Sequence, residues 1–105
     1  MEYQYNAVFF DKVKIFINNL PLKDQEKVIG AATALETGDF QSVFVKQLRG
    51  EIKELRVKKY RLIFFIHANS ICFIRIFIKK SKKTPKNEID IAEKIYKLFI
   101  ENKIP

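Results

Sequence analysis

"EIKELRVKKYRLIFFIHANSICFIRIFIKKSKKTPKNEID" (residues 51–90) holds three apolar runs separated by brief polar breaks. In EIKELRV, Leu55 and Val57 alternate with Glu54 and Arg56, the period of a β-strand. YRLIFFIH and SICFIRIFIK are rich in β-branched and aromatic residues, and HANS between them is a turn signal. VKKY makes a tighter turn between the first two runs. Connections this short cannot carry a parallel crossover, so the three strands form an antiparallel meander. LIFFI is apolar on both faces, and parity leaves open which face of the sheet meets solvent.

The third strand stops abruptly. Lys79, Lys80, Lys82, Lys83 and Lys86 place five ammonium groups within eight residues. Thr84 suits an N-cap and Pro85 the first helical position, where a missing N–H costs nothing. Ile89, Ala92, Ile95, Tyr96 and Phe99 then fall on one helical face, predicting an amphipathic helix over 85–101. Upstream, YQYNAVFF reads as a short strand running into a helix. In DKVKIFINNL, residues Val13, Phe16, Ile17 and Leu20 have helical spacing. Pro21 interrupts, and a second helix follows with Leu22, Val28, Ile29, Ala32 and Leu35 as its stripe and Gly38 as its stop. FQSVFVKQLRG (40–50) is a connector with room for a short extended piece. The expected fold is α+β: two N-terminal helices, an antiparallel β-meander and a C-terminal amphipathic helix, with the helices on one face of the sheet.

The 105 residues fit one domain, spanning 1–105, and a 48% hydrophobic content with ten Phe supplies a core. Cys72 is the only cysteine, which excludes an internal disulfide and suits a reducing cytosol; its apolar run makes it a buried, inert thiol. The charged N-terminus reads as neither a signal peptide nor a membrane span, so a cytoplasmic location is expected.

Charge is segregated. Residues 46–86 carry thirteen basic residues against two acids, a balance of +11, while the whole chain carries +8. A solubilising rim is the plain alternative, but such segregation suits a polyanionic partner. In a meander, the end of the first strand, the start of the second and the end of the third share one rim. That rim gathers Arg56, Arg61, Lys79 and Lys80, with Lys58, Lys59, Lys82 and Lys83 nearby. Tyr60 beside it could stack on an unpaired base or serve as a half-buried strand aromatic. The sequence has no Gly-rich phosphate loop, no Ser-His-Asp set and no Cys/His cluster, so no metal or cofactor is expected. His67, the only histidine, sits at a strand end beside a turn and reads as structural or merely exposed.

GEIKELRVKKYRLIFFI (50–66) followed by FIKKSKKTPKNEIDIA (77–92) resembles the RelE/ParE superfamily of bacterial toxins, specifically its HigB-like branch with phage-derived relatives. The shared features are Glu54-Leu55-Arg56, Tyr60-Arg61, and an F-x-K-K-x-x-K-T-P-x-x-E-I-x-x-A ending over Phe77–Ala92. They cover about residues 48–96. The resemblance implies a RelE-like fold and the toxin of a type II toxin–antitoxin system. It implies a metal-independent endoribonuclease, an mRNA interferase acting on the ribosome. The implied partner is a cognate HigA-like helix-turn-helix antitoxin, through which the complex binds operator DNA. The antitoxin would cover the basic rim or the N-terminal helices.

On that reading Arg56 and Arg61 grip the scissile phosphate, and Lys79, Lys80 or Lys53 serves as acid or base. Lys53, Lys58, Lys59, Tyr60, Arg75, Lys82 and Lys83 bind RNA. Arg75 stands where HigB-like relatives commonly carry a histidine, so a histidine base at that point is absent. Some superfamily members inhibit DNA gyrase instead. A non-enzymatic ParE-like gyrase inhibitor, or a nucleic-acid-binding module on the same fold, is therefore the alternative.

Overall fold

The computed structural model describes residues 3–101. The strands are β1 (Asn6–Phe9), β2 (Phe44–Arg49), β3 (Ile52–Val57), β4 (Tyr60–His67) and β5 (Ser70–Ile78). The helices are α1 (Asp11–Asn18) and α2 (Leu22–Glu36), between β1 and β2, and α3 (Lys86–Ile100), which follows β5. One five-stranded sheet has the order β1-β5-β4-β3-β2. The predicted meander is its centre, with β2 added antiparallel to β3 from the connector. β1 lies parallel to β5, which makes the sheet mixed. This parallel pair is possible because α1, α2, β2, β3 and β4 all intervene, leaving ample chain for a crossover.

The helices do not share one face of the sheet. Leu55, Val57, Tyr60, Leu62, Phe64, Ile71 and Phe73 pack with α1 and α2 residues such as Val13, Ile17, Val28 and Leu35. Ile52, Ile63, Phe65, Cys72 and Ile74 pack on the other face with Ala92, Ile95, Tyr96 and Phe99 of α3. The apolar character of LIFFI on both sides now has its cause: both sides are covered, as in buried sheets generally. Cys72 is buried, as expected.

In α2 the inward stripe is Asp24, Val28, Ala32 and Leu35. Leu22 and Ile29 fall outside it, and Leu22 is 70% exposed, because they sit a quarter-turn or more away from the sheet-facing line. Gly38, as expected, ends the helix region: its φ is 81°, and a Cβ there would meet Gln4 Oε1 at 2.5 Å.

A β-bulge in β5 sets the register near the site. Ile63 faces Arg75, but Phe64 faces Phe73, so Ile74 is the extra residue. Ile74 and Arg75 therefore both turn toward α3, and Phe77 comes to lie opposite Arg61. Arg75 Nε donates to Glu88 in the first turn of α3. Arg49 of β2 holds Asp90 at 2.8 Å and Glu93 at 3.3 Å on the same helix. The half-exposed Arg49 pairs contribute about 0–1 kcal/mol each, so apolar packing does most of the holding.

Phe65 is fully buried and meets the rings of Tyr96 at 4.8 Å and Phe99 at 5.1 Å. Phe65→Ala should lower the unfolding free energy by about 3–5 kcal/mol in urea titrations, with α3 amides losing exchange protection first.

Candidate functional site

Arg56 and Arg61 are direct cross-strand partners on β3 and β4. Like charges facing each other across a ladder destabilise it, so the pairing is unfavourable unless something compensates. Both side chains lie on the α3 face, opposite to Leu55 and Leu62. α3 leaves this end of the sheet uncovered. The segment 79–85 folds over it instead.

Glu54 is the compensating group. It is 0% exposed, and each of its oxygens is used. Oε1 accepts from Arg56 Nε at 2.8 Å. Oε2 accepts from the Thr84 hydroxyl at 2.6 Å. Arg56 Nη2 also donates to the Lys82 carbonyl at 3.3 Å, and its guanidinium lies 5.0 Å from the centre of the Phe44 ring. The lysine segment is thus latched to β3 at two points. Thr84 does not cap α3 as its sequence position predicts; the buried carboxylate claims its hydroxyl, and α3 begins at Lys86 without a side-chain cap.

Arg61 is 8% exposed, and its Nη1 donates to the carbonyls of Lys58 at 3.0 Å and Tyr60 at 2.9 Å. Burial pushes its pKa down, the Arg56 charge adds to that effect, and Glu54 opposes it. Arginine remains charged regardless. Its other donors have no protein acceptor among the described residues, yet none of the site's buried polar atoms there is left unsatisfied. They reach the cleft lined by Arg61, Phe77, Lys79, Lys80 and the rest of the lysine segment. That cleft has only about 10 Å³ of space, room for a single water, so an anion would seat at its mouth. Two arginines and four lysines gather here around one carboxylate, Glu54.

The remaining sequence candidates divide. Lys79, Lys80, Lys82 and Lys83 are exposed at the rim with Arg56 and Arg61, as the strand alignment predicts. Lys59 is exposed in the β3–β4 turn, with its Nζ 5.6 Å from the Tyr60 ring centre and its carbonyl accepting from the Lys79 amide at 2.8 Å. Tyr60 cannot stack on a base. It is 1% exposed, under α1 and α2, and its hydroxyl donates to Asp24 at 2.6 Å. Lys53 shares the Leu55 face and points away from Arg56. Arg75 is committed to Glu88. Lys58 is tied to Asp24 at 2.8 Å. His67 is exposed and set edge-on against Phe99, and Tyr96 packs on Phe65 as a core residue.

Sequence reasoning missed Asp24. Lys58 has a φ of 54°, a left-handed conformation that a non-glycine residue adopts at some cost. Asp24 holds both Lys58 and Tyr60, and so fixes the turn whose Lys58 carbonyl orients Arg61. Hydrogen bonds from Lys58 and Tyr60 keep the Asp24 carboxyl below its usual pKa, and Asp24 in turn raises that of the Tyr60 phenol. Glu54 had a signal: it is one of two acids in a segment of thirteen basic residues, two positions from Arg56 on the same strand face.

The model of the family "Phage derived protein Gp49-like (DUF891)" matches residues 15–97. The chain belongs to this family. No curated protein sequence matches it. Among solved structures, it is similar to a chain of the archaeal RelE–RelB complex from Pyrococcus horikoshii, with a TM-score of 0.67 at 16% identity, covering 73% of this chain and 97% of that one. It is also similar to a chain of the toxin–antitoxin complex RelBE2 from Mycobacterium tuberculosis, with a TM-score of 0.60 at 20% identity, covering 72% and 99%. A chain of the RelB–RelE antitoxin–toxin complex from Methanococcus jannaschii gives 0.59 at 14% identity, covering 70% and 91%. At these identities the likeness shows the fold, which is RelE-like.

Two outcomes follow from the latch and the turn. Glu54→Gln should cost about 1–3 kcal/mol and speed amide exchange across residues 79–85, because charge-assisted bonding to Arg56 is lost. Asp24 has a depressed folded pKa, so its contribution is present above the unfolded value of about 3.9 and is lost as pH falls through the folded one. Wild type should therefore lose stability more steeply below about pH 4 than Asp24→Asn does, as read from urea midpoints across an acid series.

Proposed function

We propose that this chain is the toxin of a type II toxin–antitoxin system and cleaves mRNA on translating ribosomes. The observation that supports the reading is the opposed pair Arg56 and Arg61, with unpaired guanidinium donors facing a lysine segment that a single carboxylate does not neutralise. Such a site favours binding of a phosphodiester and, more strongly, stabilisation of charge that accumulates on it.

In the proposed reaction the 2′-hydroxyl loses its proton and attacks the adjacent phosphorus. A pentacoordinate phosphorane carries the extra negative charge on its oxygens, which Arg56 and Arg61 stabilise. The P–O5′ bond then breaks, leaving a 2′,3′-cyclic phosphate and a 5′-hydroxyl, whose oxygen takes up a proton. Lys79 and Lys80, where the chain leaves β5 beside Arg61, are the groups assigned to proton transfer. No metal takes part. The ribosome contributes by positioning the message, which converts orientation into rate.

The partner is an antitoxin, proposed here as a HigA-like helix-turn-helix protein. It masks the cationic rim by charge complementarity and carries the complex to operator DNA. Among the described residues no helix is long and apolar enough to cross a membrane, and the proposed site of action is the cytoplasm.

Purified chain added to programmed ribosomes should give discrete mRNA cuts ending in 2′,3′-cyclic phosphates. Arg56→Lys or Arg61→Lys, which keeps charge but loses the planar fork, should lower the cleavage rate by roughly 10²–10³-fold, the range for losing one such donor. An intact message at stoichiometric toxin would reject the nuclease reading. Growth arrest with trapped DNA breaks would move it to gyrase inhibition.

A further inference from the structure

Beside the cationic cleft runs a wider groove of about 550 Å³, lined among others by Phe16, Phe77, Ile78, Lys80, Asn87 and Glu88. We infer that this groove is a nucleobase subsite, which takes the base of the nucleotide flanking the phosphate at Arg56 and Arg61. The inference rests on the RNA-cleaving reading above and goes beyond it by assigning the place and chemistry of base contact.

Three observations carry it. First, the groove and the cleft adjoin: Phe77, Lys80 and Pro85 line both. A phosphate at the mouth of the cleft therefore sits beside residues that also form the wall of the groove. The cleft itself, with room for one water, cannot take a base, whereas the groove falls within the range of small-molecule sites, about 300–1,000 Å³.

Second, the groove runs along an open stretch of sheet edge. β1 pairs with β5 only from Ser70 to Phe73, and Phe10 closes that ladder by donating to the Phe73 carbonyl. Beyond Phe73 the outer edge of β5 has no strand partner among the described residues, and Ile78 there is 47% exposed. An apolar, half-open edge of this kind is normally guarded or used.

Third, the chemistry of the lining matches a base. Phe77 and Phe16 present aromatic surface from opposite faces of the sheet, and Phe16 is braced edge-on by Tyr60 at 6.2 Å. Aromatic side chains stack on bases of any sequence. The Asn87 amide, exposed at the start of α3, offers a donor and an acceptor to a base edge. Tyr60, the aromatic that sequence alone would choose for stacking, is sealed under α1 and α2, so the groove supplies the stacking surface in its place. An added peptide strand fits less well, because the open edge is short and lysines border it.

The test uses the full chain and two non-cleavable probes: a 2′-O-methyl trinucleotide, and the same backbone without bases. Both should shift the Arg56, Arg61 and 79–83 signals in ¹H–¹⁵N spectra. The base-bearing probe should bind about tenfold tighter or more, and should also move Phe77, Ile78 and the Asn87 side-chain amide. Asn87→Ala should remove much of that gain and leave the abasic affinity unchanged. Ile78→Ala, at a residue that lines the groove but not the cleft, should do the same, with Asn87→Ala deciding the matter if Ile78→Ala loses stability. Equal affinity for both probes with a silent groove would overturn the subsite while leaving phosphate binding intact. Failure of both probes to bind would remove the phosphate reading and the subsite together. Groove shifts with an acidic extended peptide, but not with bases, would reassign the groove to strand addition.

Discussion

The cationic rim exists because one carboxylate is buried beneath it. Glu54 sits in the middle of β3 with no exposure, one oxygen on Arg56 and the other on Thr84. Remove that pair of bonds and nothing else among the described contacts draws the lysine segment onto the sheet except the Arg56–Lys82 carbonyl bond and the Lys79–Lys59 backbone bond. Mutual repulsion among the ammonium groups would favour splaying. Burying a charge pair costs desolvation that the Coulomb gain barely offsets, so Glu54 contributes geometry more than net stability. What it fixes is the distance between a strand-borne guanidinium and a loop that would otherwise wander.

The second support comes from the opposite face. Asp24, at the start of α2, holds Tyr60 and Lys58, and the Lys58 carbonyl holds Arg61. A helix that never reaches the rim thus sets the orientation of one of its two arginines, through a turn in a conformation few lysines adopt. The bulge at Ile74 does comparable work on β5 by bringing Phe77 opposite Arg61. Each arginine is gripped by groups of a different element, so the two are held rigidly although their charges repel. Preorganisation of that kind lowers the reorganisation needed when charge builds on a ligand.

Much of this was legible in the sequence. Alternation in EIKELRV and the two short polar breaks gave the meander, and strand order then brought Arg56, Arg61 and the lysines to one rim, where the structure puts them. The Thr84-Pro85 step marked the start of α3 to within a residue. The rest depended on long-range geometry. That helices cover both faces was hidden because LIFFI is apolar in either direction. The fates of Tyr60 and Thr84 turned on partners 36 and 30 residues away, Asp24 and Glu54, which no local pattern announces. The exposed Leu22 and Ile29 show the same limit, since one turn of helix can present apolar residues to solvent as readily as to a core.

The parallel pairing of β1 with β5 has a consequence for how the chain comes off the ribosome. Asn6 pairs with Ser70, 64 positions later, whereas the β3–β4–β5 hairpins close over a few residues. Loop-closure entropy makes the distant pairing the late event. During synthesis the first strand made must wait, unpartnered, for the fifth, and the basic segment follows only after that. A nascent chain cannot assemble the rim until almost the whole domain has emerged, which separates the act of making this protein from anything its finished surface does.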